Sequence, residues 1–258
     1  MLYRLAMFVC HSLGRFFRVR RTGFGEANIP ADGGAVLAVT HFGYLEFALV
    51  AWSIWRADRR RVLFLATAGA FRNPIVGGIL RRLGQIPVDH RAGAAAYSAA
   101  VDALRSGSLV GVFPEAGVDA SFTVRALKTG AVRLAAEADV PLIPVAIWGG
   151  QRLLTREHKV RFRERFNIPV SIAFGPPLSL VGERHAVSAK LRAELQQLVA
   201  SLQKDYPDDG AGQWWQPRAL GGTAPTPEEA AELDAAVVAR REAKRAAKRG
   251  KSGREDGA

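Results

Sequence analysis

The 258-residue chain is long enough for one α/β domain with a sizeable core, or for two small domains. Its 48% hydrophobic and 23% charged residues are ordinary for a globular protein and exclude a wholly disordered chain. The single cysteine, Cys10, excludes an intrachain disulfide, and with five histidines it argues against a Cys-rich zinc site. A net charge of +12 asks for an anionic partner: nucleic acid, an anionic membrane surface, or a phosphorylated or CoA-bearing substrate.

Residues 1–25 contain no acid. Leu2, Leu5, Ala6, Val9, Leu13, Phe16 and Phe17 recur at three- and four-residue spacing, with Arg4, Arg15, Arg18, Arg20 and Arg21 nearby. The pattern predicts an amphipathic helix, lying either in a membrane interface or on the protein's own core. No run approaches the ~18–20 apolar residues of a spanning helix. The short run Leu5 to Cys10 lacks a small-residue cleavage site, so no signal peptide is expected.

From there, short apolar runs alternate with helical patterns. Strands are predicted at Ala35–Val39, Val62–Ala66, Gln85–Val88, Leu109–Phe113, Leu142–Ile147 and Val170–Phe174. Helices are predicted at Leu45–Trp55, Pro74–Leu83, Ala94–Arg105, Lys128–Ala138 and Ala186–Leu202. This alternation implies an α/β fold with a mostly parallel central sheet flanked by helices. After Tyr206 the composition turns to Pro, Gly and Asp, and Thr226-Pro-Glu-Glu reads as a helix start. From Arg240 to Arg254 stand eight basic residues and one acid, Glu242: a solvated or disordered tail, or a membrane or nucleic-acid contact. The expected organisation is an interfacial helix over 1–25, an α/β domain over 26–206, and a Pro/Gly-rich linker with a basic helical or disordered tail over 207–258.

Three segments carry candidate chemistry. Thr40-His41-Phe-Gly-Tyr-Leu-Glu46 follows the first predicted strand, and strand carboxyl ends are where α/β sheets place their sites. On a continuous helix His41 and Glu46 would point ~140° apart, so they meet only if a turn precedes the helix, which Gly43 permits. A carboxylate on one imidazole nitrogen would fix the tautomer and leave the other to accept a proton. Phe113-Pro-Glu115-Ala-Gly117 ends another strand and projects Glu115, either toward substrate hydroxyls or into a salt bridge or cap. Ile86-Pro-Val-Asp-His90-Arg91 brings cations to a third strand end, suited to phosphate or to a surface ion pair.

In order and spacing, these blocks resemble the lysophosphatidic acid acyltransferase family of glycerolipid acyltransferases over roughly residues 30 to 180. His41 to Glu46 matches its His-x4-Asp block, and Ile86 to Arg91 its Ile-x-Val-Asp-Arg. Phe113 to Gly117 matches Phe-Pro-Glu-Gly-Thr, and Val140-Pro-Leu-Ile-Pro-Val145 matches its fourth block. Lys128-Thr-Gly130 stands where the family has Lys-x-Gly.

The resemblance implies that His41 is a general base oriented by Glu46. It also implies that Arg91, His90, Glu115 and Gly117 bind the acceptor. No metal, cofactor or covalent intermediate is implied; acyl-CoA or acyl carrier protein is the co-substrate, a lysophospholipid the acceptor, and the cytoplasmic face of the cell membrane the location. Within the same resemblance stand acylation of another lysolipid or a glycolipid, and a non-catalytic membrane-binding member. Nucleic acid is not expected as a partner, because no zinc-finger, RNP-type or GxxG-type signature accompanies the basic runs. The chain departs from the family pattern at Glu46, one methylene longer than Asp; at His90, in the usual Arg position; at Ala116-Gly117, for Gly-Thr; and at Val118, where a basic residue is usual.

Overall fold

The computed structural model describes residues 1–88, 93–115, 117–156 and 158–239. The strands are β1 (Arg20–Phe24), β2 (Ala35–Val39), β3 (Val62–Thr67), β4 (Ile86–Val88), β5 (Leu109–Val112), β6 (Leu142–Trp148) and β7 (Pro169–Phe174). The helices are α1 (Leu2–Phe16), α2 (Glu46–Asp58), α3 (Ala68–Phe71), α4 (Pro74–Arg82), α5 (Gly93–Arg105), α6 (Gly130–Ala138) and α7 (Arg184–Lys204). The sheet order is β1-β7-β6-β2-β5-β3-β4. Every pair is parallel except β6 with β7.

The six apolar runs become six strands, and those at the centre of the sheet are buried on both faces. Every residue of β2, β6 and β7 is buried. Leu37, Leu109, Ile143 and Ile147 have no exposed surface, and each such side chain contributes about 1.5–3 kcal/mol by leaving water. Local chemistry sets the helix ends. Asn73 accepts the amides of Ile75 and Val76 ahead of Pro74, and Glu183 accepts those of His185 and Ala186.

The first 25 residues divide differently from the expectation. The helix stops at Phe16, and Arg20–Phe24 is an edge strand paired with β7. Basic residues hid this strand; an edge position lets Arg20, Thr22 and Phe24 stay exposed. Helix α1 itself has two apolar sides. Tyr3, Met7 and Gly14 are buried, and Tyr3 Oη accepts the amide of Val62 at 3.1 Å. A Cβ on Gly14 would lie 2.7 Å from the Trp52 ring, so glycine allows α1 to lie close on α2. Leu5, Phe8, Val9, Leu13 and Phe16 remain exposed.

The chain divides into two compact units, one formed by residues 1–119 and 124–209, the other by 120–123 with the chain from Gly210 onward. The first holds the sheet and runs past Tyr206, because Asp208 pairs with Arg20 at 2.9 Å and with Arg152 at 2.7 Å. In the second, residues 227–239 are helical. Thr226 Oγ1 accepts the Glu229 amide while the Glu229 carboxylate accepts the Thr226 amide, a reciprocal cap. The basic run from Arg240 lies outside the described residues. Among the described residues no helix is long and apolar enough to cross a membrane.

Candidate active site

Sheet register brings the first and third blocks together. β2 and β5 are parallel neighbours with Ala38 opposite Val112, so His41 and Glu115 each lie three residues beyond a paired position. The loop after β2 is pinned first: Thr40 Oγ1 accepts the Ile147 amide at 3.1 Å. Thr155 donates to the Phe42 carbonyl, and Tyr44 N–H to that of Leu154.

Residues 41–45 form a turn, and α2 begins only at Glu46. The turn lets Glu46 fold back on its own loop. Its Oε1 accepts the amides of Phe42 and Gly43, each at 2.9 Å, and its Oε2 lies 3.0 Å from His41 Nδ1. Gly43 serves by absence of bulk rather than by an unusual φ: a Cβ there would meet the Leu154 carbonyl at 2.9 Å. Glu46 is fully buried, and burial pushes its pKa well above the usual carboxylate range, against the two amide donors. With Glu46 ionised, as its amide donors favour, Nδ1 would donate to it and Nε2 would be left with the free lone pair. Burial lowers the His41 pKa to about 4, with Glu115 opposing and Arg125 reinforcing the shift. The imidazole is therefore neutral near pH 7 and able to accept a proton.

Aromatic rings hold the imidazole plane. Phe113 stacks on His41 at 4.0 Å, and Phe64 stacks on Phe113 at 5.6 Å. Phe64 has room because residue 111 is glycine; a Cβ there would come within 2.3 Å of the Phe64 ring.

Glu115 is buried beyond the end of β5. It is 5% exposed. Its Oε1 accepts the His41 amide at 2.9 Å and its Oε2 the Arg125 amide at 3.3 Å. Burial raises its pKa to about 7, against these amide donors. Through these two amides the side chain ties the His41 loop to the segment that carries Arg125. Gly117 makes room for Arg125, whose Nη2 would lie 2.8 Å from a Cβ at 117. His90 and Arg91 lie outside the described residues.

Arg125 is the residue that sequence reasoning missed. The segment after Glu115 closes on itself, with the Asp119 amide on the His41 carbonyl and the Lys128 amide on the Pro114 carbonyl. This brings the Arg125 guanidinium to 3.8 Å from Asp119 and within electrostatic reach of His41. A cation thus stands beside the dyad although Val118 occupies the usual basic position. Among the described residues no cluster of three His, Cys, Asp or Glu side chains could hold a metal ion.

Residues 20–148, half of the chain, match the family described as Acyltransferase. The chain belongs to that family. The matched span contains β1 to β6 and the residues His41, Glu46, Phe64, Phe113, Glu115 and Arg125. Among its relatives is the 1-acyl-sn-glycerol-3-phosphate acyltransferase of Bacillus subtilis, 32% identical over 127 residues, 49% of this chain and 61% of that protein. Another, of the same description, from Chlamydomonas reinhardtii, is 26% identical over 212 residues, 79% of this chain and 61% of that protein. The chain therefore spans less than two thirds of either relative's length. The fold is similar to that of the 1-acyl-sn-glycerophosphate (LPA) acyltransferase PlsC from Thermotoga maritima, with a TM-score of 0.65 at 17% identity, covering 80% and 81% of the two chains.

Proposed function

We propose that this acyltransferase-family protein moves a fatty acyl group from acyl-CoA or acyl carrier protein to a lysophospholipid hydroxyl, with 1-acylglycerol-3-phosphate as acceptor and phosphatidic acid as product. The observation that carries the reading is the 3.0 Å contact of His41 Nδ1 with buried Glu46. Such a pair suits direct transfer. Nε2 takes the proton as the acceptor oxygen attacks the thioester carbonyl, and the resulting imidazolium returns it to the departing thiolate as the C–S bond breaks. Glu46 holds the productive tautomer through both steps.

The acceptor's phosphate would sit by Arg125, whose planar fork suits phosphate oxygens. The names of the Bacillus and Chlamydomonas relatives support this acceptor. The exposed apolar side of α1 supports work at a membrane surface, peripherally bound on the cytoplasmic side.

Thiol release from a long-chain acyl-CoA, with and without lysophosphatidic acid, tests the reading in the wild type and His41→Ala. Release that requires the acceptor and disappears in the variant is expected. Turnover with other lysolipids or glycolipids alone would move the acceptor. Absence of turnover across CoA and carrier-protein donors and an acceptor panel would leave a non-catalytic membrane-binding protein.

A further inference from the structure

Away from the dyad, α1 and α2 enclose a groove of about 510 Å³ lined by Arg4, Met7, Phe8, His11, Trp52, Trp55, Arg56 and Arg59. Three arginines converge on it and no carboxylate lines it; Asp58, the acid nearest in sequence, is not part of its wall. Arg56 Nη1 lies 3.4 Å from His11 Nδ1. If Nδ1 accepts there, Nε2 of His11 is the ring's N–H. Trp52 is 6% exposed, and its indole forms part of the wall. Arg59 stands over the Trp55 ring at 5.7 Å. The groove therefore offers cationic forks and N–H donors in an aromatic frame, the chemistry that receives a phosphate.

The setting decides where that phosphate comes from. Leu5, Phe8 and Val9 are exposed beside Arg4 on α1, and Leu13 and Phe16 continue the apolar strip. Beyond it Phe16 meets Phe162, itself 59% exposed, at 6.4 Å. A ligand with an anionic head next to an apolar body matches this layout; a free phosphate would use only the groove. The groove also stands apart from the acyl-transfer centre. Arg56 is ten residues along α2 from Glu46, about 15 Å at the helical rise.

We propose that the α1–α2 groove is a binding site for the phosphate headgroup of an anionic membrane phospholipid, held by Arg4, Arg56 and Arg59. It goes beyond the acyl-transfer reading and does not depend on it. A lipid held there would dock α1 in a fixed orientation, as diffuse attraction by a basic surface would not.

The test is partition of the full chain into vesicles of phosphatidylcholine with and without phosphatidylglycerol, with no acyl donor or acceptor present, so the result is independent of turnover. Arg56→Lys with Arg59→Lys keeps the charge and removes the planar forks. Arg4→Lys does the same on α1. With a built site, each variant loses about tenfold in affinity for the anionic vesicles, because a charge-assisted hydrogen bond is lost, and neither changes on phosphatidylcholine alone. Thermal unfolding checks that both variants fold. Wild-type binding by the lysine variants means diffuse electrostatics and overturns the site. Displacement of the wild type from vesicles by inorganic phosphate, at ionic strength matched with chloride, overturns the lipid as occupant.

Discussion

The backbone N–H of His41 donates to Glu115 Oε1 at 2.9 Å, so the buried acid of the third block holds the histidine of the first. Its loss should act on the geometry of the dyad rather than on substrate affinity. Glu115→Ala is expected to lower kcat by on the order of 10²-fold, the usual effect of a small displacement at a reacting centre, while KM for the acceptor changes little. Glu115→Gln keeps one carbonyl acceptor and should lie between. Steady-state kinetics separates these outcomes; a large rise in acceptor KM with kcat intact would instead place Glu115 against substrate.

Glu46 fits this backbone better than the family's usual aspartate should. Its carboxylate reaches the Phe42 and Gly43 amides and His41 Nδ1 from the first residue of α2. Glu46→Asp withdraws it by about 1.5 Å, one carbon–carbon bond, and is expected to cost roughly tenfold or more in kcat/KM. Full activity of the aspartate variant in the thiol-release assay would show that the loop follows a shorter side chain.

The two shifted groups have opposite effects on stability. The folded pKa of His41 is lowered to about 4, so the unfolded chain holds its proton longer and stability rises as pH climbs from 4 to 6.5. That of Glu115 is raised to about 7, so the folded chain holds its proton longer and stability falls as pH climbs from 4.5 to 7. Each amounts to roughly 3 kcal/mol at about 1.36 kcal/mol per unit, and in the wild type they largely cancel. His41→Asn preserves the backbone amide that Glu115 uses but removes the first effect. Its stability by chemical denaturation should therefore fall more steeply between pH 4.5 and 7 than that of the wild type, in which Glu46, shifted upward by burial, acts in the same direction as Glu115. Equal slopes in the variant and the wild type would mean that the pKa of His41 is not lowered by folding.

The strands that bury both faces were legible because continuous apolar runs such as Ala35–Val39 leave few alternatives. Strand β1 was not, since an edge strand exposes alternate residues and its sequence, Arg-Arg-Thr-Gly-Phe, reads as a basic extension of α1. In the site, the five-residue spacing of His41 and Glu46 required a turn before the helix, and that turn is present. The destination of Glu115 was hidden because its partners are backbone amides, which have no signature in a sequence. Arg125 was hidden by distance: ten residues without periodicity separate it from Glu115, and only closure of the segment at Pro114 and Lys128 brings them together. The one available clue was Val118 where a cation is usual, which invites a search downstream for its replacement.

If Arg125 receives the acceptor's phosphate, Arg125→Gln should raise KM for lysophosphatidic acid by tenfold or more and leave kcat/KM for an uncharged glycerolipid acceptor close to the wild type. Losing a bond to a charged group is worth about 1.5–3 kcal/mol, which sets that scale. Arg125→Lys should recover part of the loss as a point charge without the fork. Equal losses with charged and uncharged acceptors would limit Arg125 to organising the segment around Glu115.

Gly111 connects the core to the His41 ring. It sits opposite Phe64 in the β3–β5 register, and its missing side chain is the space that the Phe64 ring fills. Phe64 supports Phe113, and Phe113 covers His41. Gly111→Ala places a methyl 2.3 Å from the Phe64 ring, in a buried strand with nowhere to yield. Overpacking of this kind costs about 1–3 kcal/mol, so the melting temperature should drop. The displaced ring should also loosen Phe113 and lower kcat, with KM nearly unchanged. Phe64→Leu combined with Gly111→Ala relieves the clash without restoring the stack. The double variant should regain stability while kcat stays low; recovery of both together would mean that the stack has no part in holding His41.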